Sequence, residues 1–353
     1  MSSIERTYDP DIAGETITYL KRPTLPEYFR TYRPHALQFG AFWLWAQLVG
    51  EDGSTYFMCR EINKDHAGFL LYFRGTPGTD QPDDQILQDD LYKGYILHFL
   101  DEETQQITIR SQFEGGNAFK IEIKPQLFRL DDANGKVDLT WTVLPAPAQE
   151  WYVPGHTGEF DDYAYRSEHG LVEGVIEGVK VSGWGGMDVE WLPVGVNTRQ
   201  TTRYEILEKF WLVWYTEYED GTIEDGVYVR GFGDHVAPYY YRDGKAYIPK
   251  DTHVDVVVDD GGLIESAAVH LDDLTFDYKT VRLVANDVSA LDDGQQPDEA
   301  GGDMAWTAGV VVNRAIDSPV KRGWATPEYK AQALKDFPIE DLRLPRSFGT
   351  SAR

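Results

Sequence analysis

The chain has a single cysteine, Cys59, so it can form no internal disulfide. Cys59 lies in an apolar, strand-like run and reads as a small buried hydrophobe. Basic residues are scarce: 33 Lys and Arg stand against 59 Asp and Glu, a formal net charge of −26. A surface this negative repels phosphate backbones, so no nucleic-acid partner is expected. No stretch is long and apolar enough to span a bilayer. The first residues, Met1 to Arg6, lack a basic-then-apolar leader pattern. A cytoplasmic, soluble protein is the expectation. Walker loops, dinucleotide fingerprints after a strand and Gly-x-Ser-x-Gly elbows are all missing, and Cys59 has no base near it in sequence. Chemistry through a covalent intermediate is therefore disfavoured and no cofactor is expected. His156 and His169 flank the acidic run Glu159 to Asp162, but zinc and calcium loop spacings are absent. That run reads as a solvated linker, with no metal.

What the chain does have is aromatic side chains and a repeat. It carries 10 Trp, 21 Tyr and 16 Phe, a composition that suits pleated sheets and a greasy cavity. Phe42-Trp43-Leu44 with Glu51-Asp52-Gly53 returns 168 positions on as Phe210-Trp211-Leu212 with Glu219-Asp220-Gly221. Tyr72-Phe73-Arg74 returns in the same register as Tyr240-Tyr241-Arg242, and Asp65-His66 returns one position out, as Asp234-His235. The period is too long for a solenoid and has the length of a small domain.

Short strands with turn-rich separators run through both halves, and Asp-Gly pairs mark hairpin turns. The expected fold is all-β: two tandem sandwiches or barrels of antiparallel strands with a C-terminal helix; the resemblance described below makes them two tandem lipocalin-like antiparallel β-barrels. The expected layout is an arm over residues 1–35 with a short helix from Pro26 to Tyr32. A first barrel over 36–148 ends at Pro145 to Ala148. A linker over 149–170 and a second barrel over 171–315 follow, then the helix and tail over 316–353. The helix is placed at Thr326 to Phe337, with Thr326 as N-cap and Pro327 in the first turn.

Two aromatic-rich β halves over residues 36–315 resemble the tandem lipocalin-like proteins of the AttH and carotenoid 1,2-hydratase (hydroxyneurosporene synthase) superfamily. Gly183, Gly185, Asp188 and Trp191 stand at positions of that family's Gly-x-Gly-x-Arg-Asp-His-Ser-Trp-Gly motif. Met187, Val189, Glu190 and Leu192 depart from it. Glu150-Trp151-Tyr152 with Gly155-His156 is similar to a second family pattern, one residue short. The resemblance implies chemistry on a C=C bond of a hydrophobic, terpenoid- or polyketide-like molecule: hydration or dehydration, with isomerisation or cyclisation next.

Such chemistry needs a protonated carboxyl, a base and aromatic faces to stabilise a carbocation. Asp188 and Glu190 alternate onto one face of a strand, which makes Asp188 the candidate acid and Glu190 a candidate base. His235 is the other candidate base. Trp184, Trp191, Trp211, Trp214, Tyr239 and Tyr241 are the candidate ligand-binding residues, with the last two on one face of their strand. A non-catalytic carrier of a hydrophobic small molecule explains the same fold and aromatics.

Overall fold

The structure is a computed structural model. It describes residues 17–21, 37–63, 67–76, 84–89, 95–101, 103–112, 119–153, 162–194, 209–231, 235–285, 304–330 and 334. The short helix expected at Pro26 to Tyr32 and the pairs Asp65-His66 and His156-Glu159 lie outside them. Apart from one short turn at Ala133–Gly135 and Leu334, every regular element described is a strand.

The first sheet opens with β1 (Ile17–Lys21), β2 (Gln38–Gly50), β3 (Thr55–Asn63), β4 (Ala67–Gly75) and β5 (Asp84–Asp89). It continues through β6 (Tyr95–Asp101), β7 (Gln106–Gln112), β8 (Lys120–Lys124), β9 (Leu127–Asp132) and β10 (Val137–Val143). β11 (Ala148–Val153), β12 (Tyr163–Ile176) and β13 (Val179–Leu192) complete it. The second sheet holds β14 (Phe210–Tyr218), β15 (Ile223–Arg230), β16 (Val236–Arg242), β17 (Lys245–Tyr247), β18 (Thr252–Val258), β19 (Ile264–Leu271), β20 (Leu274–Ala285), β21 (Met304–Asn313) and β22 (Val320–Lys330). All pairings are antiparallel.

The strand orders show that the sequence repeat is structural. The first sheet runs β5-β4-β3-β2-β13-β12-β10-β9-β8-β7-β6, with β11 bridging β1 and β12; the second runs β17-β16-β15-β14-β22-β21-β20-β19-β18. The repeated blocks are β2 to β4 and β14 to β16. In each sheet the first of them pairs with the closing strand of its own half, β2 with β13 and β14 with β22.

Those blocks are apolar on both faces, and the reason is visible in the packing. Phe42, Leu44, Ala46 and Leu48 of β2 face the core enclosed by the first sheet, while Trp43 and Trp45 face the second sheet. Phe210, Leu212 and Trp214 of β14 fill the second sheet's core, while Trp211, Val213 and Tyr215 face the first. A strand buried on both faces reads as a continuous hydrophobic run, whereas β8 and β19 face solvent on one side and alternate. The two curled sheets thus enclose one core each and share a third between them.

Polar bonds also cross between the sheets. Gln47 Nε2 donates to the Ala325 carbonyl at 3.1 Å and to Thr326 Oγ1. Gln149 Nε2 donates to the Ala237 carbonyl at 3.2 Å. Two buried ion pairs pin the first half: Arg60 to Asp132 at 2.6 and 2.8 Å, and Arg166 to Glu150.

Two sequence expectations are corrected. The sheets divide the chain between Leu192 and Phe210, not at Pro145 to Ala148: residues placed in the linker and at the start of the second barrel form β11, β12 and β13 of the first sheet. The turn chemistry at Pro145 and Pro147 marks a connection inside one sheet, where a boundary was expected. Thr326 and Pro327 do not start a helix. They lie in β22, paired to β14 with Leu212 opposite Pro327. Pairing to β21 is interrupted between Glu328 and Ala325, so the missing N–H of Pro327 costs no ladder bond there. A Thr-Pro pair suits extended backbone as well as a helix start, and pairing on both sides decided between them.

Candidate functional site

A cavity partly open to solvent lies in the shared core between the sheets. Its walls are aromatic: Trp43, Trp45 and Phe57 from β2 and β3, Trp151, Tyr163 and Tyr165 from β11 and β12, Trp211 from β14 and Trp306 from β21. Tyr165 stacks between Trp43 (6.1 Å, 24°) and Trp151 (5.1 Å, 21°), and Trp211 stands edge-on to it at 5.0 Å and 64°. Trp306 meets Phe57 at 4.9 Å.

Two carboxylates join this lining, Asp188 and Glu328. They occupy equivalent places in the repeat. Asp188 of β13 pairs across from Trp43 of β2, and Glu328 of β22 pairs across from Trp211 of β14, the counterpart of Trp43. No Lys, Arg or His is among the described residues of the lining. Cys59 lines the cavity too. Burial, then Glu61, Glu328 and Asp188 push its thiol well above the ordinary range, which disfavours the thiolate.

A chain of hydrogen bonds runs behind Asp188. Its Oδ2 accepts from Trp45 Nε1 at 2.8 Å and its Oδ1 from the Ser167 hydroxyl at 2.6 Å. Ser167 Oγ is 3.0 Å from His169 Nε2, and His169 Nδ1 is 3.0 Å from both oxygens of Asp225 on the other sheet. All five residues are at least nine-tenths buried. Burial raises the pKa of Asp188 above the usual aspartate value. The bonds from Ser167 and Trp45 and the charge of His169 pull the other way without cancelling it. Burial opposes a charged His169, but Asp225, with Asp188 and Glu168, outweighs it and lifts the imidazole above its ordinary value. Ser167, His169 and Asp225 also edge a second, smaller cavity.

The strands sort the residues singled out from sequence. Asp188 and Trp211 line the cavity. Trp184 lies just behind it, edge-on to Trp45 at 5.0 Å and to His169 at 5.0 Å. Tyr239 and Tyr241 share the face toward the first sheet, and Tyr239 edges the smaller cavity, its hydroxyl donating to the Pro147 carbonyl at 3.3 Å. His235 is fully buried against Trp151, ring centroids 5.2 Å apart, and backs the wall rather than lining it. Glu190 is fully buried beside Gly40, where an added Cβ would sit 2.8 Å from its Oε1; it does not line the cavity. A register shift after Glu190 follows it on the β2 side.

Trp191 and Trp214 are core residues instead. Trp191 belongs to the first sheet's own core and carries the Arg166 guanidinium over its ring at 4.8 Å. Trp214 fills the second sheet's core, resting on the bare backbone of Gly226 and on Phe276. Full burial of such a side chain is worth about 1.5–3 kcal/mol, enough to explain both without a ligand.

Sequence reading missed Trp43, Trp45, Ser167, Asp225 and Glu328, and left His169 to a linker. The signal for one of them was present in the repeat: Trp43 is the counterpart of Trp211. The Ser167-x-His169 alternation would have put both side chains on one face had the segment been read as strand. Away from the cavity, His253, Asp255 and His270 form a cluster on β18 and β19, the two rings stacked at 3.9 Å and His270 Nε2 3.2 Å from Asp255. No helix of the described residues is long and apolar enough to cross a membrane.

No protein-family model matches the chain, and no curated protein matches it. Among solved structures it is similar to an AttH from Nitrosomonas europaea, with 12% identity, TM-score 0.48, and coverage of 88% of this chain and 98% of that one. It is similar to CghA, solved with Sch210972, at 12% identity and TM-score 0.47, over 83% of this chain and 89% of that one. It is similar to kievitone hydratase from Nectria haematococca at 8% identity and TM-score 0.40, over 90% and 97%.

Proposed function

We propose that the chain is a lyase of the hydratase type, adding water to or removing it from a C=C bond of an apolar small molecule held between the sheets. The observation that carries this reading is Asp188: a carboxyl with raised proton affinity, held by two donors at the wall of an aromatic cavity.

In the hydration direction, the Asp188 carboxyl gives its proton to an alkene carbon. The carbocation that results faces the indoles of Trp43, Trp151 and Trp211, whose quadrupoles stabilise positive charge. Glu328, the second carboxylate of the lining, takes a proton from water as the oxygen bonds to the cation. Alkene plus water becomes alcohol, with Glu328 protonated and Asp188 ionised. A proton returns to Asp188 from His169 through the Ser167 hydroxyl, His169 regains one from water at the smaller cavity, and Glu328 releases its own to solvent. Glu190 and His235 shape the wall around this set.

Native mass spectrometry with organic extraction of the purified protein, wild type and Asp188→Asn, tests the reading. A co-purifying alkene and alcohol whose ratio changes in Asp188→Asn supports it. The same apolar ligand bound unchanged in both forms replaces it with a carrier function, which the aromatic walls serve equally.

A further inference from the structure

The walls of the cavity say more than that they are apolar. Five indoles and two phenols line it, together with two carboxylates and, among the described residues, no basic side chain. Trp43, Tyr165 and Trp151 stack in a layer, and Trp211 closes it edge-on, so one space is bounded by several electron-rich surfaces. Trp presents the most negative ring face of any side chain. Asp188 and Glu328 add formal or potential negative charge from both halves of the repeat. Outside, the net charge of −26 attracts cations and repels anions at long range.

An anionic ligand would find no counter-charge here. Burying a carboxylate or phosphate beside Asp188 and Glu328 would carry an unpaired desolvation cost. A purely hydrocarbon ligand would be accepted, but a cavity for one needs no carboxylate in either half. A cation dispersed over alkyl groups suits these walls: its weak hydration lowers the cost of burial, the rings attract it, and the Glu328 carboxylate, ionised as the base of the proposed reaction, faces it.

We propose that this cavity is built to hold a positive centre, and that its ligand carries a substituted ammonium group on an apolar skeleton. The proposal rests on the cavity being the ligand site, as in the function proposed above, but not on the chemistry assigned to Asp188. It makes the substrate of that site an apolar amine.

Isothermal titration calorimetry with three probes of matched shape tests it: benzyltrimethylammonium, its neutral isostere neopentylbenzene, and the anion phenylacetate. The expected result is one site for the cation, binding at least about tenfold tighter than the neutral probe, with no binding of the anion. Trp211→Leu and Glu328→Gln, each checked for native circular dichroism, are expected to weaken the cation more than neopentylbenzene and so to erase most of that preference. Equal or tighter binding of neopentylbenzene, binding of phenylacetate, or no binding of any probe would overturn the proposal. So would a preference that survives in both variants. Cation preference without any C=C chemistry in the extracts would leave this inference standing and remove the lyase reading; C=C chemistry without the preference would do the reverse.

Discussion

At the scale of single residues, the chemistry depends on how much Asp188 resists ionising. Its folded pKa lies above the ordinary aspartate value because burial penalises the charged form. The acid is therefore present at low pH and is lost as pH rises through that raised value. Turnover in the hydration direction is expected to fall on the same limb, and Asp188→Asn to lower it about 10²- to 10⁴-fold. The same sign holds for stability: the contribution of Asp188 is present below the ordinary value and fades as pH climbs through the raised one. His169 behaves likewise, since its pKa is also raised; nitrogen-resolved NMR is expected to show its titration midpoint falling in Asp225→Asn. An unmoved midpoint would mean that the 3.0 Å contacts to Asp225 do not hold the imidazolium. Asp188 was legible in the sequence because an acid between two glycine and tryptophan landmarks stands out. Glu328 was not, because Thr-Pro-Glu reads as a helix start until both neighbouring strands are known. Ser167 and His169 were hidden by the acidic, proline-flanked stretch before them.

At the scale of elements, β13 and β22 set the site. Each closes its sheet against the repeated strand, and each presents its acid opposite a tryptophan of that strand. The approach of β13 to β2 requires bare backbone: a Cβ on Gly185 would lie 2.0 Å from the Trp45 carbonyl oxygen. Gly185→Ala is expected to destabilise the protein by about 1–3 kcal/mol or more by overpacking, read as a lowered denaturant midpoint, and to move Trp45 off Asp188. A midpoint unchanged from wild type would show that the two strands can part without cost. Gly183 and Gly185 were visible as a motif, yet their purpose was not, since alternation says nothing about how closely two strands pack. The same limit explains the misplaced boundary. Pro145 and Pro147 are genuine breakers, but a breaker ends a strand, and whether it also ends a sheet depends on pairings that lie dozens of residues away.

At the scale of the whole molecule, the repeat places its most apolar strands face to face. The shared core joins the sheets through Trp45, Phe57, Trp151, Val213, Val227 and Trp306, with Gln47, Gln149 and His169 bonding across. Neither half can expose that face to water at small cost, so calorimetry is expected to give one cooperative unfolding transition rather than two. Two separated transitions would make the shared core a weak contact. The net charge of −26 opposes this compaction by self-repulsion. Screening it is expected to raise the melting temperature as sodium chloride is added from low ionic strength. The repeat itself was plain in the sequence because residues buried on both faces tolerate little but large hydrophobes.

Protonation of carbon at Asp188 is tested most directly by deuterium. The ligand extracted from the protein is incubated with fresh enzyme in D₂O, and its C–D content is followed by mass spectrometry for wild type and Asp188→Asn. Deuterium bonded to carbon in the wild type, at a rate at least about 10²-fold lower in Asp188→Asn, is the predicted result. No deuterium on carbon, or the same rate in both proteins, would contradict it.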